Sequence, residues 1–343
     1  MFKRMIRETA LRIPGLATMY SGSRSFYHRT RKILFYVRDA KLTFKHMNWM
    51  GAHQRAYTTL SAALLFQYHK LEKGLCMPGE KRFFGYDPAI ATLDLMAEWR
   101  KHGLSEQDPV FRGAIETLRA YRQRLNETPP KQGKILRERL DGLLEQYTEQ
   151  EKTLSTPLPA RLITTDVVWP IFQQLVEARR SVREYQSTPV DLALIRRAAE
   201  LAQLSPSACN RQPCRIHVYS DKQKIEALLA LQNGNRGFGH TAPLLILVTA
   251  DAYSFFDASE RNQPYVDGGL YAMNLLYALQ AQGLSSCCLN WCVEPAQDEL
   301  AHQLGKVPEQ ERIVMYLLVG YAASGALVPR SPRRALESTV IIH

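Results

Sequence analysis

Residues 244–251 read LLILVTAD, six apolar side chains in seven positions behind Pro243 and ahead of an aspartate. A strand with one wet face alternates polar and apolar residues, and this stretch does not, so residues 244–249 read as a strand buried on both faces. Such a strand needs helices above and below. The flanking sequence supplies them: 191–204 is helical with Asp191 at its N-cap, 268–282 is a strongly apolar helix closed by Gly283, and 294–305 is a third. Ile216–Tyr219, SCCLNW from Ser285 and Ile313–Val319 read as further strands, and 171–180 as another helix. Helices alternating with buried strands predict an α/β sandwich, a mixed central sheet covered on both faces.

Upstream the texture changes. From about 25 to 152, apolar residues recur at spacings of three and four, the mark of consecutive helices. Asp87-Pro88 and Asp108-Pro109 read as helix starts, Gly74 and Gly103 as helix ends, and proline-containing 154–170 as a linker. Three regions are expected: a basic amphipathic segment over 1–45, an all-helical region over 46–155, and the α/β domain over 165–343.

Of 343 residues, 45% are hydrophobic and 22% charged, which suits a globular protein and excludes a disordered chain. The apolar runs are too short to span a bilayer, no signal peptide is evident, and a cytoplasmic location is expected. The six cysteines form no C-x-x-C pair and no cysteine–histidine alternation, so reduced thiols and no metal site are expected. The net charge of +11 is concentrated: the first 50 residues hold eleven Lys or Arg against Glu8 and Asp39. Apolar residues including Phe2, Ile6, Phe26, Ile33 and Val37 interleave with these charges. Peripheral contact with an anionic membrane and a solvated basic flank are both compatible with that pattern. No nucleic-acid-binding motif accompanies it.

Four polar clusters exceed what a plain domain needs. RRSVREY (179–185) places Arg179, Arg180 and Arg183 at a helix end, where they suit either the macrodipole or a bound phosphate. PSACNRQP (206–213) offers Ser207, Asn210 and Gln212, suited to an Asx turn or to a ring edge of mixed donors and acceptors. LQNGNRGFGH (231–240) is glycine-rich but matches neither a Rossmann nor a Walker loop, and PRSPRR (329–334) is a stiffened basic tail. No Ser/His/Asp or Cys/His set is present.

With LLILVTAD, YVDGGLYAMNLLYALQAQGL (265–284) and SSCCLNW (285–291), these clusters together resemble the nitroreductase family of flavin enzymes over about residues 170–335. The resemblance implies a homodimer with FMN at its interface and NADH or NADPH as electron donor. Hydride would pass through flavin N5 to a small or carrier-linked substrate. Arg179, Arg180, Ser181 and Arg183 then hold the flavin phosphate and ring, and Pro206, Ser207, Asn210 and Gln212 reach it from the partner subunit. Asn235 supplies an amide, Cys288, Leu289 and Asn290 pass the ring, and Arg330 or Arg333 closes the phosphate site. Cys214 stands where many relatives carry an aromatic residue, and Cys209 lies close by. Further upstream, HKLEKGL (69–75) is similar to an extended subgroup associated with bacterial surface-polysaccharide pathways. It nominates His69 and Glu72 as proton donors, although Lys73 and Gly74 also suit an ordinary helix end. An alternative expectation is a membrane-associated accessory protein of polysaccharide assembly with a vestigial flavin site.

Overall fold

The structure, a computed structural model, describes residues 14–47, 57–78, 83–127, 133–147, 157, 158, 160 and 163–343. The chain divides into two compact units, Met1–Met47 and Asn48–His343. Residues 1–13 of the expected basic segment and residues 154–156, 159, 161 and 162 of the expected linker lie outside the described residues.

The described part of the first unit is one helix, α1 (Pro14–His46). At 3.6 residues per turn, the exposed Met19, Phe26, Ile33, Val37 and Phe44 fall within about 40° of one another, a single apolar stripe.

The second unit begins with α2 (Tyr57–Leu75), α3 (Tyr86–Lys101), α4 (Pro109–Glu127) and α5 (Lys134–Leu144). Leu60, Leu64 and Leu71 of α2 meet Met96 and Trp99 of α3, Phe111, Leu118 and Tyr121 of α4, and Leu136 and Leu140 of α5. Asp108 caps α4 as expected, accepting the Val110 N–H at 2.8 Å. Asp87 does not cap α3. That helix starts at Tyr86, two residues earlier than expected, because Gly85, at φ 71°, turns the chain into it from the left-handed region. Gly74 likewise does not end its helix, which runs on to Leu75; a Cβ there would lie 2.1 Å from the Phe84 ring.

The α/β part contains α6 (Thr165–Ala178), α7 (Leu192–Ala202), β1 (Cys214–Tyr219), α8 (Lys222–Leu229), β2 (Leu244–Asp251), α9 (Gln263–Ala281), β3 (Ser285–Asn290), α10 (Pro295–Gly305) and β4 (Glu311–Gly320). The strands pair antiparallel in the order β1-β2-β4-β3. The parallel component of the expected mixed sheet is one bridge, Ser181 to Ser286. Every residue of β2 is buried. Leu244, Ile246 and Val248 face α7 and α9 with Leu317 and Val319 of β4, while Leu245 and Leu247 face Leu228 of α8 and Ala301 of α10. That is the two-residue period of a strand with helices on both sides. Asp191 caps α7 as expected. α6 begins six residues before its expected start, at Thr165. Pro170 lies inside it, since its fixed φ suits a helix and its cost is one lost hydrogen bond near the helix start.

Candidate functional site

The segment between α7 and β1 stops its helix at Ser205, whose Oγ donates to Ala202 O at 2.7 Å. A short 3-10 turn, Ala208–Asn210, follows. Cys209, Asn210 and Gln212 all have φ between 51° and 55°. Three non-glycine residues in the left-handed region within four positions cost free energy that the surroundings must offset. The Gln212 N–H donates to Ser207 Oγ at 3.0 Å, the Ala208 N–H to Asp267 Oδ2 at 3.1 Å, and Arg211 Nε to Ala208 O at 2.9 Å. The Asx turn open to Asn210 is absent. Its Oδ1 accepts from Gln212 Nε2 at 3.4 Å, and that amide also donates to Asn210 O at 3.4 Å, so among the described residues Asn210 Nδ2 and Gln212 Oε1 are the amide atoms left open.

Arg211 anchors this loop: the sequence shows it as one of three consecutive polar residues, Asn210 to Gln212, that a plain turn does not need, and gives it no role. It is 2% exposed, forms a two-pronged ion pair with Glu260, and lies 5.6, 5.1 and 4.9 Å from the ring centres of Phe66, Phe255 and Phe256. Burial alone would raise the Glu260 carboxyl, but Arg211 and the Phe256 N–H outweigh it and hold the group below its ordinary range. A local signal was lacking because these partners come from two distant segments, around Phe66 and over 255–260.

Phe66 belongs to α2, so the helical region lies against the loop. Thr58 Oγ1 accepts from Arg215 Nη2 at 3.1 Å at one end of that contact. Toward the other, Lys70 Nζ stands 3.9 Å over the Phe66 ring and close to Cys209. His69 Nδ1 and Glu72 Oε2 are 2.8 Å apart, half-buried and bonded to each other one helical turn on. Beneath Arg215 lies a second polar cluster. Arg215 Nη1 donates to Asp251 at 2.6 Å and Glu311 at 2.9 Å, while Glu311 also meets His217 at 2.7 Å and accepts from Thr249 at 2.5 Å. Burial pushes Asp251 up, whereas His217 and Thr249 overcome burial at Glu311 and hold it down.

Behind the loop is a cavity of about 70 Å³ lined by residues including Ser207, Gln212, Cys214, Asp267 and Tyr271. Burial, with Asp267 adding, pushes the Cys214 thiol up to about 12. Cys214 is therefore an inert protonated filler at neutral pH rather than a nucleophile.

The remaining expected residues gather at the opposite edge of the sheet, along β3. The Val182 N–H donates to Ser286 O at 3.1 Å, bringing RRSVREY beside the strand. Among the described residues the Arg179 side chain has no hydrogen-bond partner. Arg180 instead donates to Arg179 O at 2.9 Å and caps α6, the macrodipole role. Arg183 donates to Ser181 O at 3.3 Å and lies 5.6 Å from the centre of the Phe238 ring. Burial raises the neighbouring Cys287 thiol, opposed by Arg183, Ser181 and Arg179. Cys288 and Asn290 are exposed, and Leu289 is buried in the core. Asn235 is a brace within its own loop: its amide donates to Leu229 O and Gln232 O, both at 2.8 Å, leaving little for a ligand. Pro206 is exposed at the loop start. Arg330 and Arg333 are exposed in the tail, where Arg333 donates to Ser331 O at 2.5 Å, and neither joins the arginines of RRSVREY.

One chain thus carries two half-sites, on β1 and β3, the two edges of a four-stranded sheet. At about 4.8 Å between strands they are separated by roughly 14 Å of sheet. This is an α/β scaffold with polar half-sites at both edges of its sheet. The nitroreductase family model matches residues 176–232 and 226–321. A 4-nitrobenzoate reductase of Pseudomonas putida is 38% identical over 213 residues, covering 48% of this chain and 92% of that protein. An iodotyrosine deiodinase of Haliscomenobacter hydrossis is 28% identical over 200 residues, covering 50% and 88%. A protein of Burkholderia lata described as a putative NADH dehydrogenase/NAD(P)H nitroreductase is 28% identical over 179 residues, covering 47% and 90%. The chain belongs to the nitroreductase family of oxidoreductases.

Proposed function

We propose that the chain is an FMN-dependent oxidoreductase that works as a homodimer and passes a hydride from NADH or NADPH to a small acceptor. The observation that carries this reading is the separation of the half-sites across the sheet. A single chain does not close both around one ring system, whereas a two-fold dimer brings the β3 edge of one copy to the β1-side loop of the other. The residues fit the cofactor. Among the described residues the Arg179 side chain has no hydrogen-bond partner, which suits it to a phosphate, with Ser181 and Arg183 nearby in sequence. Among the described residues Asn210 Nδ2 and Gln212 Oε1 have no hydrogen-bond partner, and on a loop rigidified by Arg211 they offer a donor and an acceptor suited to a flavin edge. When bound, FMN supplies the hydride chemistry; the protein contributes placement and electrostatics. His69 and Glu72, paired with each other on α2, are the groups this reading assigns to proton supply. Arg330, Arg333, Asn290 and Cys288 stay assigned to the flavin surroundings on the family resemblance, and Asn235 and Leu289 to shaping them.

The name of the Pseudomonas putida relative favours a nitroaromatic acceptor. A place in surface-polysaccharide synthesis rests on the HKLEKGL resemblance alone. The basic charge and apolar stripe of α1 favour peripheral contact with an anionic membrane from the cytoplasmic side. Purification tests the main reading. The protein is expected to be yellow, to release FMN on denaturation, to bleach under anaerobic NADH or NADPH, and to run at twice the chain mass. Colourless protein that takes up no FMN on reconstitution overturns it. Arg179→Ala is expected to weaken FMN binding by about 1–3 kcal/mol, the worth of a charge-assisted hydrogen bond. Unchanged retention removes Arg179 from the site.

A further inference from the structure

Lys70 differs from the ion-paired cations of the second unit. Arg211 meets Glu260, Arg215 meets Asp251 and Glu311, and Arg122 meets Asp141. Among the described residues Lys70 has no carboxylate partner. Its hydrogen bond goes to the neutral Gln67 Oε1 at 3.1 Å, and its ammonium is 3.9 Å from the centre of the Phe66 ring. The nearest acid on the same helix, Glu72, is taken by His69. Burial lowers Lys70 from its ordinary value, Cys209 works against that, and Lys73 adds to it. A lysine placed only to favour the helix C-terminus needs no such position, and exposed Lys73 one turn on already fills that role.

The position is set by the fold. Phe66 is held between Lys70 and Arg211, and Arg211 is locked by Glu260, so the ammonium is fixed beside Cys209 in the loop that carries Asn210 and Gln212. A partly desolvated cation without a counter-ion attracts an anion more strongly than a hydrated one. The side-chain amides of Asn210 and Gln212 follow Cys209 within three residues.

We propose that Lys70 is a specificity-determining residue that binds an anionic group, carboxylate or phosphate, on the acceptor substrate. This rests on the flavin reading above and adds the charge class of the substrate. Aromatic substrates lacking the anion lose this contact.

The test uses the full FMN-loaded chain, with bound flavin measured first and probe binding then followed by calorimetric titration. Benzoate, phenyl phosphate and neutral benzamide are the probes. At least one anion is expected to bind about tenfold more tightly than benzamide, with the stronger of the two identifying the group. Lys70→Ala is expected to abolish that preference with flavin content unchanged, and Lys70→Arg to retain most of it. Added salt should weaken anion binding to the wild type and hardly affect Lys70→Ala. A flavin-loaded protein indifferent to probe charge, or a preference that survives Lys70→Ala, overturns the inference and leaves the flavin reading standing. A protein that takes up no FMN overturns both.

Discussion

Arg211 shows how a residue can decide the site without touching a ligand. Its guanidinium is enclosed by three aromatic rings and Glu260, and its Nε donates to Ala208 O inside the strained turn. Arg211→Met is expected to destabilise the protein by about 2–3 kcal/mol in urea unfolding, because it strands Glu260 without its partner. Glu260 is partly hydrated, which keeps the cost below that of a fully buried pair. Arg211→Lys should recover little, since one ammonium neither forms two parallel bonds nor lies flat on the rings. The pH dependence follows from Glu260, whose carboxyl is held below the ordinary range. The unfolded chain therefore takes up this proton first as pH falls. The contribution is complete above the unfolded value near 4.3 and is lost as pH drops through the lower folded one. Wild type should exceed Glu260→Gln in Tm at pH 7, with the gap closing as pH falls below the unfolded value of about 4.3. A gap constant across that range removes the ion pair as its source. The polar residues around Arg211 were legible as a cluster because they are adjacent in sequence. Arg211 itself was not, because Phe66, Phe255 and Glu260 reach it only in three dimensions.

At the scale of elements, β2 and β4 were legible because burial on both faces leaves a run of apolar residues that few other structures require. Ends were harder to read. β2 continues through Thr249 to Asp251 because the polar side chains there find partners in Arg215 and Glu311. α9 starts at Gln263, ahead of its apolar stretch, because Asp267 is buried by the Ala208 N–H and Gln263 rather than exposed. Partners from distant segments, invisible to local pattern, set both boundaries. Within α9 the adjacent glycines separate cleanly. A Cβ on Gly268 would lie 2.6 Å from Val314 Cγ2 on β4, while one on Gly269 meets nothing within 4 Å. Gly268→Ala is expected to cost about 1–3 kcal/mol through overpacking of helix against sheet. Gly269→Ala should be neutral or stabilising by up to about 1 kcal/mol, the helix-propensity gain. Chemical denaturation of the two variants side by side tests this, and equal costs would argue against close approach at Gly268.

The whole molecule raises a question that neither half-site addresses: what the first unit is for. Composition made its charge legible, since α1 spans seven Lys or Arg against Asp39 alone. Sequence alone left its geometry open, because apolar residues scattered among arginines form a stripe only if the segment is one continuous helix. It is, and Met19, Phe26, Ile33, Val37 and Phe44 then align. No helix among the described residues is long and apolar enough to cross a membrane, so any lipid contact through α1 lies along the surface. Such contact has two separable parts: apolar side chains entering the headgroup region and cations attracted to anionic lipid. The full chain is expected to sediment with vesicles containing about 30% phosphatidylserine and to remain in solution with pure phosphatidylcholine, because the attraction needs anionic headgroups. Replacing Phe26, Ile33 and Phe44 by serine should lower partitioning by on the order of a hundredfold or more, given about 1.5–3 kcal/mol for each apolar side chain withdrawn from water. Raising salt should weaken the wild type without abolishing its binding, because the apolar part is not screened. Flavin content serves as the internal control: it should be the same in both proteins, so a loss of sedimentation reports on α1 and not on misfolding. Sedimentation of the triple variant equal to wild type would remove the stripe from membrane contact and leave α1 a solvated basic helix.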